Sequence, residues 1–256
     1  MQMPRNNYEI PANPDAGATT LASRTYLQLR HDIVRGRLAA GSKLRLVDLV
    51  ARYDAGMSPV REALARLCGE QLVVSEDQRG FMVAPLSLQE LDDIARVRNL
   101  VVDEAMNDSI LHGDDAWEAR LRAALAALGE LEAAVSGRPV ALPPEQLDAL
   151  EARNHAFHQA LLSACRSPWL LKLQESFYHQ AERYRYAALP RALDKRFTWD
   201  EHQAIAEAAL QRNVIKACRL HDDHLARTHA SIRAALADRL APTAAPVFSP
   251  RSRPSR

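Results

Sequence analysis

The amino-acid sequence predicts a mainly α-helical protein: an N-terminal winged helix-turn-helix of three helices and a β-hairpin, followed by an all-α helical bundle. Over residues 21–86, three short amphipathic patterns precede two apolar runs that flank a polar turn, which is the element order of a winged helix-turn-helix. Over residues 87–240, glycine is scarce and long helical periods take over, as in a bundle. Residues 1–20 and 241–256 lack any hydrophobic period, so we expect a flexible N-terminal arm and a disordered C-terminal tail.

The composition is that of an ordinary globular protein, with 47% hydrophobic and 25% charged residues in a chain of 256. No apolar run approaches the length of a membrane span, and the N-terminus lacks the apolar core of a signal peptide. Three widely spaced cysteines fit free thiols, so we expect a cytoplasmic protein without membrane contact. Residues 21–85 carry ten Lys/Arg against seven Asp/Glu (+3), and residues 86–240 carry nineteen against twenty-three (−4). This mild asymmetry permits a first domain that faces nucleic acid, without requiring one.

The first two helices have recognisable boundaries. A helix starts near Ser23, and Gly36 is its expected stop, because glycine readily adopts the left-handed conformation that ends helices. The segment "LAAGSKL" is a predicted loop, and a second helix covers residues 46–53. The tight turn "DAGM" follows, in which we expect Gly56 to supply the backbone freedom.

The third helix is predicted from "MSPVREALARL". Ser58 is a good N-cap and Pro59 a good first helical residue. One face of the helix collects the apolar positions i, i+4 and i+7, namely Val60, Leu64 and Leu67. Arg61 lies off that face in the predicted first turn, where the helix dipole disfavours a cation, so an external anion is one reason for its presence. An ordinary amphipathic helix with a solvated arginine explains the stretch equally well.

The hairpin and the arginines around it favour DNA binding. Strands are predicted for "LVV" and "FMVAPL", around the turn "SEDQRG". A short turn before the third helix sets it at a steep angle to the second, so that its N-terminus can enter a major groove, where Arg61 reaches a phosphate or a guanine edge. Arg45, at the start of the second helix, and Arg79 with Gly80, at the hairpin tip, belong to the same predicted surface. Each arginine alone fits a solvated charge, but the three together favour DNA binding.

Eight of the nine histidines lie after residue 111, in the predicted bundle. Asn154 and His158 share one helical face at i and i+4, His202 begins another helix, and His224 lies midway along the last. Three imidazoles and an oxygen from three helices can converge on one divalent ion. Four other histidines are equally good candidates by sequence alone, and for most of them we expect a surface position: His155, His179, His221 and His229. The six bundle helices are predicted at about residues 91–111, 115–136, 145–165, 168–188, 199–211 and 213–240.

Arg98 is unusual because the helix face that it shares is otherwise apolar. A buried arginine needs an anion, which either a protein carboxylate or the carboxylate of a ligand can provide. The segment "ERYRY" adds Arg183 and Arg185, one of which can face the same cavity. Pairing of these arginines with Asp or Glu on neighbouring helices is an equally good explanation.

The segment "GSKLRLVDLVARYDAGMSPVREALARLCGEQLVVSEDQRGFMVAP" resembles the winged-helix domain of the GntR superfamily. The helical part resembles the FCD ligand-binding domain of its FadR branch, through the "FH…EH…H" series, and the likeness covers residues 21–238. The resemblance implies a homodimeric bacterial transcription regulator, usually a repressor, which binds a near-palindromic operator in double-stranded DNA. It also implies that a small organic acid, often beside a divalent metal, shifts the DNA-binding domains.

The resemblance assigns three sets of residues in this sequence. The implied DNA contacts are Arg45, Gly56, Met57, Ser58, Arg61, Arg79 and Gly80. The implied ligands of a divalent metal (zinc, nickel or manganese) are Asn154, His158, His202 and His224. The implied effector-binding residue is Arg98, to which Arg183 and Arg185 are added as candidates.

Two departures from the family pattern affect these assignments. Gly56-Met57 replaces the usual Ser-Arg pair before the recognition helix, so one base-reading arginine is missing. Asn154 replaces the usual aspartate, and an amide oxygen is a weaker metal ligand than a carboxylate. The series "FHQALLSACRSPWLLKLQESFYHQAERYR", together with "GMSP", is most similar to the sub-branch of carbon-starvation-induced repressors. That likeness implies a C4–C6 dicarboxylate effector such as glutarate.

Two other functions fit parts of the sequence. A metalloenzyme built on the helical bundle would use the histidines, with the first domain as an interaction module. Against it, the sequence has no HExxH motif and no Glu-x-x-His pair of the di-iron kind. A nucleic-acid binder without an effector is the second alternative, and an arginine-lined pocket in the helical domain would argue against it. We therefore expect a regulator rather than an enzyme.

Overall fold

The structure, a computed structural model, describes residues 20–76, 80–135, 143–192 and 198–240. It has the predicted fold class, a winged helix-turn-helix followed by an all-helical bundle. The first part comprises α1 (Leu21–Val34), β1 (Lys43–Leu44), α2 (Leu46–Tyr53), α3 (Met57–Gly69), β2 (Val73–Glu76) and β3 (Gly80–Val83). The bundle comprises α4 (Leu88–His112), α5 (Asp115–Val135), α6 (Pro144–Leu162), α7 (Pro168–Ala192), α8 (Trp199–Leu210) and α9 (Val214–Leu240). The predicted C-terminal tail and the predicted arm, apart from Thr20, lie outside the described residues.

The start of α1 lies two residues before the predicted one because Thr20 caps it. The Thr20 side chain accepts a hydrogen bond from the Ser23 backbone N–H at 3.1 Å, which satisfies one of the free donors of the first turn. The predicted stop is confirmed, since Gly36 follows the helix with a φ of 71°. The buried face of α1 packs on α3, where the predicted apolar face is fully buried: Val60, Leu64 and Leu67.

The turn between α2 and α3 differs from the prediction. Asp54, with φ 46° and ψ 49°, adopts the left-handed conformation, whereas Gly56 has a φ of −69° and is the N-cap of α3. Ser58 is therefore the second residue of the helix and not its cap. Arg61 consequently becomes the fifth helical residue, at the start of the second turn rather than in the first. Asp54 takes this role because aspartate tolerates the left-handed region better than most residues.

A third strand joins the predicted hairpin. The sheet is antiparallel with the order β1-β3-β2, and β1 falls within the segment predicted as a loop. Leu44 lies opposite Phe81 and is buried, but two residues are too few to produce a detectable alternating pattern. The predicted second strand ends at Val83, earlier than expected. Arg79, at the predicted tip, lies outside the described residues.

The bundle helices lie where the sequence predicts them, with ends that differ by a few residues. Helix α4 packs against α6, α7 and α9, so it forms the centre of the bundle. Trp117 and Phe157 are fully buried in its core. Gly129 on α5 admits the ring of Trp199, because an added Cβ would lie only 2.3 Å from the Trp199 Cζ3 atom. Within the residues that the structure describes, no helix is long and apolar enough to cross a membrane.

The winged helix-turn-helix contacts the bundle through α7. Arg30 on α1 donates a hydrogen bond from Nη2 to Glu182 Oε2 at 3.3 Å. Gln180 on the same helix donates to the backbone carbonyl oxygen of Glu70, the residue that ends α3. Helix α7 therefore belongs to the bundle and also supports the first domain.

Candidate metal centre and nucleic-acid interface

Three histidines from three helices meet in the interior of the bundle. His158 lies on α6, His202 on α8 and His224 on α9, and all three are buried. Each offers a ring nitrogen, and the three nitrogens all lie within 4.8 Å of one another. We call this group the histidine triad. The separation suits three ligands around one metal ion, in which each imidazole nitrogen lies about 2 Å from the metal.

Polar side chains lie beside the Nδ1 atoms of two rings of the triad and orient these rings. The Nδ1 atom of His224 lies 2.7 Å from Glu201 Oε2. The Nδ1 atom of His202 lies 3.3 Å from Thr198 Oγ1 and 3.8 Å from Glu132 Oε1. A carboxylate on the far nitrogen of a metal-binding histidine fixes the ring and its tautomer. Nε2 is then the ring atom of these two histidines that a metal would bind.

His158 is held in the neutral form that metal binding requires. Burial lowers the pKa of His158 well below its ordinary value, and the neighbouring imidazoles and Arg98 lower it further. A neutral imidazole keeps a lone pair for a metal, whereas a protonated ring has none. The donor set and the neutral form of His158 therefore fit a divalent ion.

Asn154 lies one turn before His158 on the same face of α6, as expected. It is half-buried, and its Nδ2 atom lies 3.5 Å from the hydroxyl oxygen of Tyr178. That contact leaves the amide oxygen as the atom that would bind a metal. The role of Asn154 as a fourth ligand stays a prediction.

Two buried guanidinium groups meet at one tyrosine. The Cζ atom of Arg98 lies 5.3 Å from the ring centroid of Tyr178, and that of Arg185 lies 4.3 Å from it. Arg185 donates from Nε to Glu151 Oε2 at 2.8 Å. Arg98 Nε and Arg185 Nη2 are buried and make no hydrogen bond with the described residues. We call Arg98 and Arg185 the arginine pair.

Arg98 is the electrostatically strained member of the pair. Burial and the positive charge of Arg185 together lower the pKa of Arg98 to about 10, against the weaker opposing influence of Tyr178 and Glu151. Despite its burial, the pKa of Arg185 is instead raised, because Glu151 stabilises its charge. Tyr178, whose ring both arginines share, contacts Asn154, and Asn154 lies one turn before His158 of the triad. The arginine pair therefore places excess positive charge near the triad, where it can bind an anion.

Arg183 lies elsewhere. Its Nη2 atom donates to the carbonyl oxygens of Ala84 and Pro85, at 2.6 Å and 3.4 Å. These residues connect β3 to α4, so Arg183 holds the connection between the two domains. Of the two arginines in "ERYRY", the structure brings only Arg185 to Arg98.

His221 is a buried residue that sequence reasoning missed. It is one of four histidines of which most were predicted at the surface, yet only 1% of it is exposed. Its ring centroid lies 5.4 Å from that of His158 and 6.2 Å from that of His224. The spacing of i and i+3 before His224 was the available signal, because it places both residues on one face of α9.

The predicted DNA contacts within the described residues are all exposed: Arg45, Gly56, Met57, Ser58, Arg61 and Gly80. Among the residues that the structure describes, Arg61 has no ion pair or hydrogen bond to another side chain. The remaining predicted contact, Arg79, is not among them. An exposed cation near a helix N-terminus, without a protein partner, is available to a phosphate or a base edge.

Comparison with known families assigns both parts of the chain. Residues 21–83 match the family described as "Bacterial regulatory proteins, gntR family", and residues 93–227 match the FCD domain. The chain belongs to the GntR family of regulators with an FCD domain. This family consists of transcription regulators, so the chain is not an enzyme.

Relatives in the GntR family align over most of the chain. The HTH-type transcriptional regulator BphR of Paraburkholderia xenovorans is 37% identical over 220 residues, which cover 86% of this chain and 88% of BphR. The HTH-type transcriptional repressor GlaR of Escherichia coli is 36% identical over 207 residues, which cover 78% of this chain and 90% of GlaR. The two identities are nearly equal, so they do not separate sub-branches of the family.

Solved structures share the fold. A GntR transcriptional regulator from Rhodococcus sp. RHA1 has a TM-score of 0.65 at 24% identity, over 84% of this chain and 98% of the other. McbR/YncC of Escherichia coli has a TM-score of 0.66 at 20% identity, with the same coverage of both chains. These likenesses support the fold of the GntR regulator described above.

Proposed function

We propose that this protein is a cytoplasmic repressor whose operator binding is modulated by a small dicarboxylate bound beside a divalent metal ion. In this proposal residues 21–86 bind DNA, and residues 87–240 bind the effector and form a homodimer. The observation that carries the proposal is the arginine pair, Arg98 and Arg185, whose unpartnered guanidinium atoms surround Tyr178, the tyrosine that contacts Asn154. A DNA binder without an effector would have no need for this buried positive charge.

The DNA contacts follow from the exposed N-terminal end of α3. We propose that this end enters a major groove, with Arg61 on phosphate or a guanine edge and Arg45 on the adjacent backbone. Arg79 and Gly80 at the hairpin tip would reach the neighbouring backbone or minor groove. The remaining proposed contacts are Gly56, Met57 and Ser58, whose small or unbranched side chains allow a close approach. A homodimer would present two such helices to half-sites about 34 Å apart in a near-palindromic operator.

The proposed metal ligands are the histidine triad and the amide oxygen of Asn154. Imidazole ligands favour zinc or nickel over manganese, which prefers oxygen donors. When bound, the ion would supply a positive charge that attracts the carboxylate of an effector. Because Asn154 contributes no negative charge, the ion would keep its full positive charge toward the effector.

The arginine pair determines the class of effector. One carboxylate at the metal centre and a second at the guanidinium groups would satisfy both positively charged clusters. A C4–C6 dicarboxylate such as glutarate has two carboxylates on a short chain. This assignment is supported by the sequence likeness to carbon-starvation-induced repressors, and the repressor role by the name of GlaR. A monocarboxylate would leave one cluster without an anion.

Helix α7 connects the effector site to the DNA-binding domain. Tyr178 and Arg185 lie at the effector site, whereas Gln180, Glu182 and Arg183 contact the DNA-binding domain or its connection. These residues alternate within three turns of one rigid helix, so any shift of α7 at the effector site would move its contacts with the first domain. The ligand changes DNA affinity only if it binds the two arrangements with different affinity, typically by about 1–3 kcal/mol.

The test is DNA binding that responds to the ligand. The zinc-loaded protein selects its operator from a random DNA library, and fluorescence anisotropy at fixed salt then measures affinity with and without succinate, glutarate or adipate. We expect at least one dicarboxylate to lower operator affinity by about 5- to 150-fold, and acetate, the matched monocarboxylate, to have little effect. Unchanged affinity at saturating dicarboxylate would refute the proposal.

A further inference from the structure

His221 belongs to the effector region but not to the histidine triad. It is 1% exposed, and its ring lies beside those of His158 and His224. The group of three ligand nitrogens within 4.8 Å of one another nevertheless does not include it. His221 therefore packs against the proposed metal ligands but does not belong to the group of ligands.

The Nδ1 atom of His221 is a buried polar atom without a partner. It makes no hydrogen bond with any described residue, which is also true of Arg98 Nε and Arg185 Nη2. Unpartnered buried polar atoms are rare in folded proteins because each one loses its hydrogen bonds to water. Here three of them belong to one region: the His221 ring lies 5.4 Å from that of His158, and Asn154, one turn before His158, contacts Tyr178, whose ring both arginines share.

All three atoms can donate to an anion. The guanidinium nitrogens are donors in every state of arginine. An imidazole carries at least one N–H in either protonation state, and the Nδ1 atom of His221 has no hydrogen-bond partner among the described residues. With a hydrogen on Nδ1, His221 offers a donor beside the ring of His158.

We propose that His221 contacts the effector directly, by donating its Nδ1–H to a carboxylate oxygen of the dicarboxylate that Arg98 also binds. This inference rests on the proposed function and adds a residue to it. His221 then determines ligand specificity. Its N–H group can donate to a carboxylate oxygen, but it forms no hydrogen bond with a ligand that places a donor or a methyl group at the same position. It acts on the ligand and leaves the metal to the triad.

Two amide variants test the position of the donor. Asparagine carries its nitrogen on Cγ, as Nδ1 is carried in histidine, whereas glutamine carries it one atom further away. Isothermal titration measures zinc binding to the metal-free protein and then glutarate binding to the zinc-loaded protein. We expect His221→Asn to bind glutarate within a few-fold of the wild type. His221→Gln and His221→Leu should lose about 10- to 100-fold in glutarate affinity, as for a lost hydrogen bond to a charged group.

Two further measurements distinguish a contact from a structural role. Zinc affinity should stay within about threefold of the wild type in all three variants, because the triad is intact. His229→Leu, on the same helix but half-exposed and paired with Asp92, is the matched control and should leave both affinities unchanged. The two amides have similar polarity, so a difference in glutarate affinity between them cannot come from a general loss of folding.

The outcomes separate the two proposals. Equal glutarate affinity in wild type, His221→Gln and His221→Leu overturns the role of His221 and leaves the proposed function standing. Loss of zinc binding in these variants also overturns it, because His221 would then be a metal ligand. Failure of succinate, glutarate and adipate alike to bind the wild-type zinc form overturns the proposed function, and this inference with it.

Discussion

Arg98 and Arg185 share one buried aromatic ring, with their Cζ atoms 5.3 Å and 4.3 Å from the centroid of Tyr178. The two arginines differ in one respect: Arg185 has a carboxylate partner, Glu151 at 2.8 Å, whereas Arg98 Nε has no hydrogen bond to the described residues. The pair therefore carries one more positive charge than its protein partner neutralises. This difference leads to opposite expectations for the two arginines.

Replacing Arg98 with methionine should raise the stability of the ligand-free protein while weakening ligand binding. The change removes a buried, unpaired charge and keeps much of the side-chain volume, so the free energy of unfolding should rise by about 1–2 kcal/mol. Glutarate affinity should fall by about 10- to 100-fold, as for a lost charged hydrogen bond. Urea unfolding and titration calorimetry measure the two quantities.

Arg185→Met is the matched variant and should behave differently. It leaves Glu151, whose side chain is only 15% exposed, without its partner, so it should destabilise the fold by about 3–5 kcal/mol. If Arg98→Met destabilised the protein as much as Arg185→Met does, Arg98 would have a protein partner and the argument for an anionic ligand would fail.

Arg61→Ala should abolish operator binding and leave the fold intact. Arg61 is exposed and unpaired within the described part of the chain, so the melting temperature should change by less than the equivalent of about 0.5 kcal/mol. Loss of a bidentate contact to guanine would cost about 1–3 kcal/mol at each half-site. Gel shift and circular dichroism check the two expectations. The neighbouring Glu62→Ala is the control: it removes a negative charge from the same helix and should retain or strengthen operator binding. Unchanged operator affinity in Arg61→Ala would contradict the assignment of α3 as the helix that contacts DNA.

Arg183→Met should uncouple the two domains. The variant loses the hydrogen bonds to the carbonyl oxygens of Ala84 and Pro85, but it does not touch the triad or the arginine pair. Glutarate and operator should each still bind, while the factor by which glutarate changes operator affinity should fall several-fold toward one. Anisotropy titrations with and without glutarate measure this factor. Lys172→Met, at the exposed start of α7, is the control, and a full glutarate response in Arg183→Met would exclude this route of coupling.

The junction between the domains should depend on pH through His179. Burial alone would lower the pKa of His179, but its contacts with Glu175 at 3.0 Å and Glu182 at 3.4 Å raise that pKa above its ordinary value of 6.5. A raised pKa in the folded state means that the stabilisation is complete below pH 6.5 and is lost as the pH rises through the folded-state pKa. The melting temperature of the wild type should therefore exceed that of His179→Gln most below about pH 6.5, and the difference should shrink as the pH rises above that value. A difference that grew with pH would contradict this charge assignment.

Gly129→Ala should destabilise the bundle although alanine favours helices. The helix gains about 1 kcal/mol from the substitution, but the new Cβ would meet the Trp199 ring at 2.3 Å and force the ring or α5 to move. Overpacking of this kind typically costs about 1–3 kcal/mol, so we expect a net loss. Gly69→Ala is the control, because nothing lies within 4 Å of a Cβ there. Thermal unfolding should rank Gly69→Ala at or above the wild type and Gly129→Ala below it.

The sequence by itself determined the fold class and the positions of the helices. Hydrophobic periodicity is a local property, and it predicted all six helices of the bundle and the buried face of α3. The positions of His158, His202 and His224 on three predicted helices, together with the family resemblance, predicted that these residues form one metal-binding group. The sequence did not predict the short strand β1, because two residues are too few to show an alternating pattern. The cap of α3 was assigned wrongly to Ser58, since Gly56 and Ser58 both suit an N-cap and only the path of the preceding turn selects one.

Only the tertiary structure decided which polar groups meet. Residues two apart on a helix point to nearly opposite sides, so the sequence could state that Arg183 and Arg185 face different ways but not which one faces Arg98. The packing of α7 between the bundle and the first domain made that choice. The same packing buried His221 and left Arg98 Nε without a hydrogen-bonded carboxylate among the described residues. The physical reason is that periodicity defines the face of a helix, whereas the neighbour of that face depends on how all the helices pack together.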